Sequence, residues 1–141
     1  MEVESNYLYS YDNLSDLTYS NTKKIEVKKS RLHGRGVFAK EKIRKGEVIE
    51  FCPVLVLKKE DIEFIDKTNL YNYYFDWKHS IAIALGYGSF YNHSYTPNAY
   101  YKKDFENEQL IFIALKDIEV GEEITINYNG YPCCKDKLWF E

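Results

Sequence analysis

Three cysteines, Cys52, Cys133 and Cys134, are the only thiols in a chain of 141 residues. A small secreted domain stapled by disulfides carries more, in even number, so the chain reads as intracellular and reduced. Histidine is as scarce. His33, His79 and His93 stand far apart and Cys133 and Cys134 are adjacent, which leaves no four-ligand zinc set of ordinary spacing. Long apolar runs are missing as well. The longest, residues 110–115, holds six residues, whereas a spanning helix needs roughly 20; no membrane segment is expected. The opening MEVESNYLYSYDN has no basic stretch leading into an apolar one, so a secretory signal is not expected either. After Gly34 and Gly36 there is no third glycine at the dinucleotide spacing, and no GK[ST] occurs. The phosphate-cradle readings fail on that ground.

What is present describes a folded domain. Hydrophobic residues make up 45% and charged residues 29%, which excludes wholesale disorder. The net charge is −3, but it is unevenly spread. Residues 23–48 hold ten basic and three acidic side chains, net +7, which leaves nine basic against 19 acidic, net −10, for the rest. A whole-domain nucleic-acid binder would be basic overall, so no direct sequence-specific nucleic-acid contact is expected. An acidic remainder can attract a basic peptide, or it can be an ordinary solvated surface.

Residues 1–23 form a Tyr/Ser/Asn-rich arm without a sustained period. From Lys24 onward short strand patterns dominate: KIEVKK, GVFAK, EVIEF, PVLVL, SIAIAL, NAYYKK, QLIFIAL and EITIN, with Gly46, Gly86, Gly88, Gly121 and Gly130 between them. One helix is predicted over residues 58–66, with Ile62, Phe64 and Ile65 as an inward stripe. Residues 70–75 fit a short helix or a strand. No alternation of strands with long helices occurs, so the fold class is mainly β.

Three segments could carry chemistry. In RLHGRGVFA the two glycines permit close backbone approach to a ligand, or simply a turn. In NHSYTPN the amides of Asn92 and Asn98 could read a ligand's polar end, or could close a hydrogen-bonded turn at Pro97. GEEITINY gives a turn, a strand and Tyr128 at its end; one Tyr among 14 is structural by default. Cys52, beside Pro53 in an apolar run, suits the core better than nucleophilic catalysis.

Together, in this order and spacing, HGRGVFA, YNHSYTPN and GEEITINY resemble the SET domain of protein-lysine methyltransferases, over roughly residues 28–130. The small size and the NYNGYP…LWF ending look most like the compact, stand-alone SET proteins of bacteria and viruses. The resemblance implies a SET domain over residues 24–132, built of several small β-sheets around a pseudoknot with one or two short helices, and a tail over 133–141 that caps the cofactor site. It implies S-adenosylmethionine as methyl donor, leaving S-adenosylhomocysteine, and a substrate lysine that enters by a narrow channel from the opposite face. On that pattern His33, Gly34, Arg35 and Gly36 hold the donor through backbone groups. Asn92 binds its amino-acid end, the His93 backbone meets the adenine, and Tyr73 is a second donor-side tyrosine. Tyr128 is the catalytic tyrosine, and Phe51, Tyr87, Ile126 and Tyr128 line the substrate channel.

Two positions depart from the family's pattern. Many members have a cysteine where Tyr95 stands, and a CxCxxxxC tail, the four together holding zinc. Here the tail reads PCCKDKLWFE, so no zinc flap is expected and Trp139 and Phe140 become candidates to cap the adenine. Two residues before the catalytic tyrosine the family often has Phe or Tyr; here Ile126 leaves room for more than one methyl. The chemistry is consistent with the residue types. Making a lysine neutral at pH 7 costs about 4.6 kcal/mol from its ~10.4 pKa, and a dry aromatic channel beside a sulfonium favours the neutral amine. The implied partner is a lysine-containing protein, such as a histone tail. The alternatives are a catalytically idle SET-like interaction module, and a homodimer in which one chain's arm or tail completes the other's site.

Overall fold

The computed structural model describes residues 23–141. The arm expected over 1–23 lies outside the described residues except for Lys23.

Among the described residues nine strands form two sheets. The first is four-stranded, in the order β1 (Ile25–Lys29), β2 (Arg35–Ala39), β9 (Glu123–Ile126), β6 (Asn92–His93). β1 and β2 make an antiparallel hairpin with Val27 opposite Val37, and Val37 in turn lies opposite Ile124 of β9. β6 lies parallel to β9, pairing Asn92 with Thr125 and His93 with Ile126. This pairing sets the Asn-His segment beside the closing segment, although about 30 residues of chain separate them. Alternation places Val37, Ile124 and Ile126 in the core, each fully buried, and each such side chain stabilises the fold by roughly 1.5–3 kcal/mol.

The second sheet runs β4 (Phe75–Trp77), β5 (Ser80–Ala84), β3 (Val48–Val56), β8 (Gln109–Ala114), β7 (Ala99–Asp104), all antiparallel. The sequence reading breaks β3 into two strands at Cys52-Pro53, but the strand runs through. Val48 to Pro53 pair with β8, and Val54 to Val56 pair with β5. Pro53 sits where β3 passes from one neighbour to the other, a place where a missing N–H is tolerated. The sheet's outer strands curl toward each other, and aromatic pairs join them: Phe75 meets Tyr101 at 5.3 Å, and Trp77 meets Phe105 at 4.9 Å.

The helix expected over residues 58–66 is shorter. A 3-10 turn at Lys59–Asp61 runs into α1 (Ile62–Ile65), and Phe64 is 60% exposed. Ile62 and Ile65, three apart, share a face, whereas Phe64 is two residues from Ile62 and points elsewhere. Phe64 instead lies under the Lys67 ammonium. Residues 70–75 divide between a 3-10 turn, Asn69–Asn72, and the start of β4. No helix among the described residues is long and apolar enough to cross a membrane.

Candidate active site

The β1–β2 hairpin turns at Gly34, whose φ of +48° lies in the left-handed region that glycine enters without strain. The turn is fastened from the far side by Asn92. Its side-chain amide nitrogen, with two N–H groups, lies within hydrogen-bond reach of three acceptors: the His33 carbonyl at 3.0 Å, the Arg35 carbonyl at 3.1 Å and Glu123 Oε1 at 2.8 Å. Gly36 is needed for a different reason. A Cβ there would overlap the Glu123 carboxylate and come within 3.0 Å of the Asn92 amide. The two glycines thus serve separate ends: one makes the turn, the other lets two polar side chains lie against the strand. Arg35 stacks over Phe90, 5.1 Å from the ring centre.

Asn98 locks the next segment. It accepts the Thr125 N–H at 2.8 Å and donates to the Glu123 carbonyl at 2.8 Å. Both asparagines of the NHSYTPN segment are therefore buried hydrogen-bonding hubs tying β9 to its neighbours.

Tyr128 follows β9 directly. Its hydroxyl donates to the Tyr91 carbonyl at 2.7 Å, and its backbone N–H donates to His93 Nδ1 at 3.1 Å. Burial pushes the phenol up to about 12, with Tyr73 and Glu123 adding to the effect, so the hydroxyl is a neutral donor and acceptor at physiological pH. Desolvation holds the His93 imidazole below its ordinary pKa. It is neutral with Nδ1 as acceptor, which leaves a buried Nε2–H without a partner among the described residues.

Tyr91 is anchored in turn. Its ring stacks on Phe112 at 4.2 Å, and its hydroxyl donates to Glu50 Oε1 at 2.8 Å. Glu50 Oε2 accepts the Tyr87 N–H at 2.8 Å. Glu50 is fully buried without a basic partner among the described residues, and burial raises its pKa despite these two bonds. Burial, then the Glu50 charge, push the neighbouring Cys52 thiol up to about 12, which leaves it an inert core group.

On the other side of Tyr128 lies a groove of about 760 Å³. Tyr73, Tyr91, Tyr101, Ile126, Tyr131 and Trp139 are among its walls, with Asp76 on the β4 side and Lys102 and Lys103 on the β7 side. The tail closes one end. Trp139 stacks on Tyr128 with ring centres 6.1 Å apart and an 18° tilt, and its indole N–H donates to Asn72 Oδ1 at 3.2 Å. Phe140 meets Tyr128 edge-on at 6.2 Å. Side chains of the motif segments hold the tail down. Asn127 donates to the Cys134 carbonyl, Asn129 donates to the Asp136 carbonyl, and the Tyr95 hydroxyl donates to the Glu141 carboxylate. Among the described residues no group of three or more His, Cys, Asp or Glu side chains is placed to hold a metal.

Most of the residues singled out in the sequence come together at this place. Asn92 ties the His33 and Arg35 carbonyls together beside Gly36, and the adjacent His93 packs on Tyr128; Trp139 and Phe140 meet the same ring, and Tyr73 and Ile126 line the groove beside it. Two stand apart. Phe51 is on the face of β3 opposite Glu50 and Cys52, paired with Ile111, because strand alternation sends it away from the groove. Tyr87 is not a groove wall; its ring packs on Phe90, 6.5 Å away. The sequence reading missed Tyr91, Tyr101, Glu50 and Glu123. Tyr91 adjoins the Asn-His pair and Glu123 lies inside the closing segment, so position alone was the available signal.

Comparison with known proteins gives the same grouping. The family model described as "SET domain" matches residues 34–129. A Schizosaccharomyces pombe protein named histone-lysine N-methyltransferase, H3 lysine-37 specific, is 38% identical over 119 residues, covering 83% of this chain and 77% of that protein. A human relative, histone-lysine N-methyltransferase 2B, is 32% identical over 77% of this chain, but the chain spans only 5% of its length. Among solved structures, a Plasmodium falciparum protein described as a candidate histone methyltransferase superposes with a TM-score of 0.66 at 37% identity, covering 84% of this chain and 97% of that one. Polycomb Repressive Complex 2 of Chaetomium thermophilum, at 23% identity, shares the fold with a TM-score of 0.65 over 77% of this chain and 16% of its own. These relatives are eukaryotic and give the likeness to bacterial and viral proteins no support. The chain belongs to the SET-domain family of protein-lysine methyltransferases.

Proposed function

We propose that the chain transfers a methyl group from S-adenosylmethionine to the ε-amine of a lysine in a basic protein segment such as a histone tail. One observation carries the reading: the Asn92–His93 segment, fastened to the glycine turn, and an aromatic groove meet at a single partly buried tyrosine. The first fits the donor. The His33 and Arg35 carbonyls and the Glu123 carboxylate converge on Asn92, an acceptor-rich corner suited to an amino-acid ammonium. The exposed rings of Trp139 and Phe140 suit a flat base. Bound there, S-adenosylmethionine supplies a methyl group on a positively charged sulfur.

The chain's own residues do the rest. The rings of Tyr128 and Tyr101 line the groove and align an amine entering it for in-line attack. A dry aromatic wall favours the uncharged amine. The Tyr128 hydroxyl, whose proton goes to the Tyr91 carbonyl, has lone pairs free to accept weak C–H···O contacts from a polarised methyl group, each worth about 0.5–1 kcal/mol. Ile126, lacking a hydroxyl, leaves space for an amine that already carries a methyl. The −10 net charge outside residues 23–48 supports a basic substrate. The histone named for the fission-yeast relative supports a histone in particular, and such a substrate implies an intracellular site of action.

The test is transfer of labelled methyl from S-adenosylmethionine to core histones and to a lysate of basic proteins, with wild type beside Tyr128→Phe and Asn92→Ala. Labelling by wild type that both substitutions abolish is the expected result. Absence of both labelling and donor binding would overturn the reading in favour of an idle interaction module.

A further inference from the structure

Glu123 opens β9, and its carboxylate faces the donor cradle rather than any base. Oε1 accepts from the Asn92 amide at 2.8 Å, and Oε2 accepts from the Ser30 hydroxyl at 2.9 Å. Among the described residues it forms no ion pair. Gly36 makes room for it, since a Cβ there would overlap the carboxylate. Donors are short at this corner. The Asn92 amide has two N–H groups, yet three acceptors lie within 3.1 Å of it: the His33 carbonyl, the Arg35 carbonyl and Glu123 Oε1. At least one of the three receives no proton from Asn92, and the carboxylate has no cation beside it among the described residues. An ammonium, with three N–H groups and a positive charge, corrects both deficits.

We infer that Glu123 is a specificity-determining residue for the methyl donor: its charge, beside the His33 and Arg35 carbonyls, selects ligands that bear an α-ammonium. This rests on the donor reading above and adds a residue to it. The competing role is mechanical, with Glu123 only pinning the β1–β2 hairpin to β9 through Ser30 and Asn92. Glu123→Gln separates the two. Glutamine has the same shape, still accepts from Asn92 and can donate to Ser30, but it has no charge.

The experiment is calorimetric titration of wild type and Glu123→Gln with S-adenosylhomocysteine, and with its analogue lacking the α-amino group. A charge-assisted hydrogen bond is about twice as strong as a neutral one, so Glu123→Gln is expected to bind S-adenosylhomocysteine about tenfold more weakly (~1.4 kcal/mol). The analogue is expected to bind both proteins equally. Ser30→Ala, which removes a fastening contact and keeps the charge, is expected to stay within about threefold of wild type for both ligands. Equal weakening toward both ligands in Glu123→Gln, or the same loss in Ser30→Ala, would assign Glu123 to the mechanical role and overturn the inference. Unchanged affinity for S-adenosylhomocysteine in Glu123→Gln would also overturn it, with the donor reading intact. Failure of wild type to bind S-adenosylhomocysteine at all would remove the donor reading and the inference with it.

Discussion

Replacing Glu50 with glutamine removes a buried charge behind Tyr128 and keeps one of the two hydrogen bonds it accepts. Glu50 is fully buried, and its two oxygens accept the Tyr91 hydroxyl and the Tyr87 N–H. The Tyr91 carbonyl then accepts the Tyr128 hydroxyl, so a three-residue relay connects this carboxyl to the reaction site. Glutamine keeps one acceptor oxygen, for the Tyr91 hydroxyl, and loses the acceptor for the Tyr87 N–H, a cost that does not vary with pH; the charge disappears. Burial holds the folded-state pKa of Glu50 above its unfolded value. The wild type therefore keeps its full stability below the unfolded pKa, near 4.5. As pH rises from there the unfolded carboxyl ionises first, and stability is lost until the folded carboxyl also ionises. Glu50→Gln has no such loss. Its melting temperature relative to wild type should rise with pH from about 4.5 upward and then level off. Each tenfold difference in proton affinity between the two states contributes ~1.4 kcal/mol, or roughly 3–5 °C in a domain of this size.

Glu50→Ala is the counterpart. It leaves the buried Tyr91 hydroxyl and the Tyr87 N–H unpaired, each at about 1–3 kcal/mol, and opens a cavity. It should melt well below wild type at every pH and lose activity by loosening Tyr91. The assay is differential scanning of the three proteins between pH 4 and 9, with methyl transfer measured at pH 8. Other titrating groups are common to wild type and Glu50→Gln, so their effects cancel in the difference. A wild-type-to-glutamine gap that stays flat across pH would mean that Glu50 titrates alike in both states. That result would refute the argument from desolvation.

Gly36→Ala should lower the melting temperature by the equivalent of about 1–3 kcal/mol, the usual cost of overpacking, and weaken binding of S-adenosylhomocysteine at least tenfold, because its Cβ displaces Glu123 and Asn92; calorimetry and a thermal melt check both. Ile126→Phe puts a ring into a fully buried position at the groove and should shift the products toward fewer methyl groups, read by mass spectrometry of a peptide substrate. An unchanged product distribution would remove Ile126 as the residue that sets methylation state.

The sequence disclosed the strands better than their connections, and the site better than its supports. Alternation in KIEVKK, QLIFIAL and EITIN reads directly as β1, β8 and β9, because one face of each is buried and a slip of one residue would invert every side chain. Pro53 misled, because sequence pattern does not show that β3 changes partners there. Phe64 misled because a single helical turn has no room for a three-residue stripe. Among site residues, Gly34, Asn92 and Tyr128 were legible from motif order. Glu50 and Glu123 were not. A glutamate in a strand is by default a solvated charge, and only the fold shows Glu50 buried against Gly86 and Glu123 lying against Gly36.

The residues after Tyr128 fold back over it. Trp139 and Phe140 are half exposed, so their own burial is too small to hold them over Tyr128. What fixes them is polar and comes from the motif segments themselves. Tyr95, two residues past His93, reaches Glu141; Asn127 and Asn129, flanking Tyr128, take the carbonyls of Cys134 and Asp136. The segments that carry Asn92 and Tyr128 are therefore also the ones that seat the groove's aromatic end, so substitutions that free the tail should disturb the packing around Tyr128.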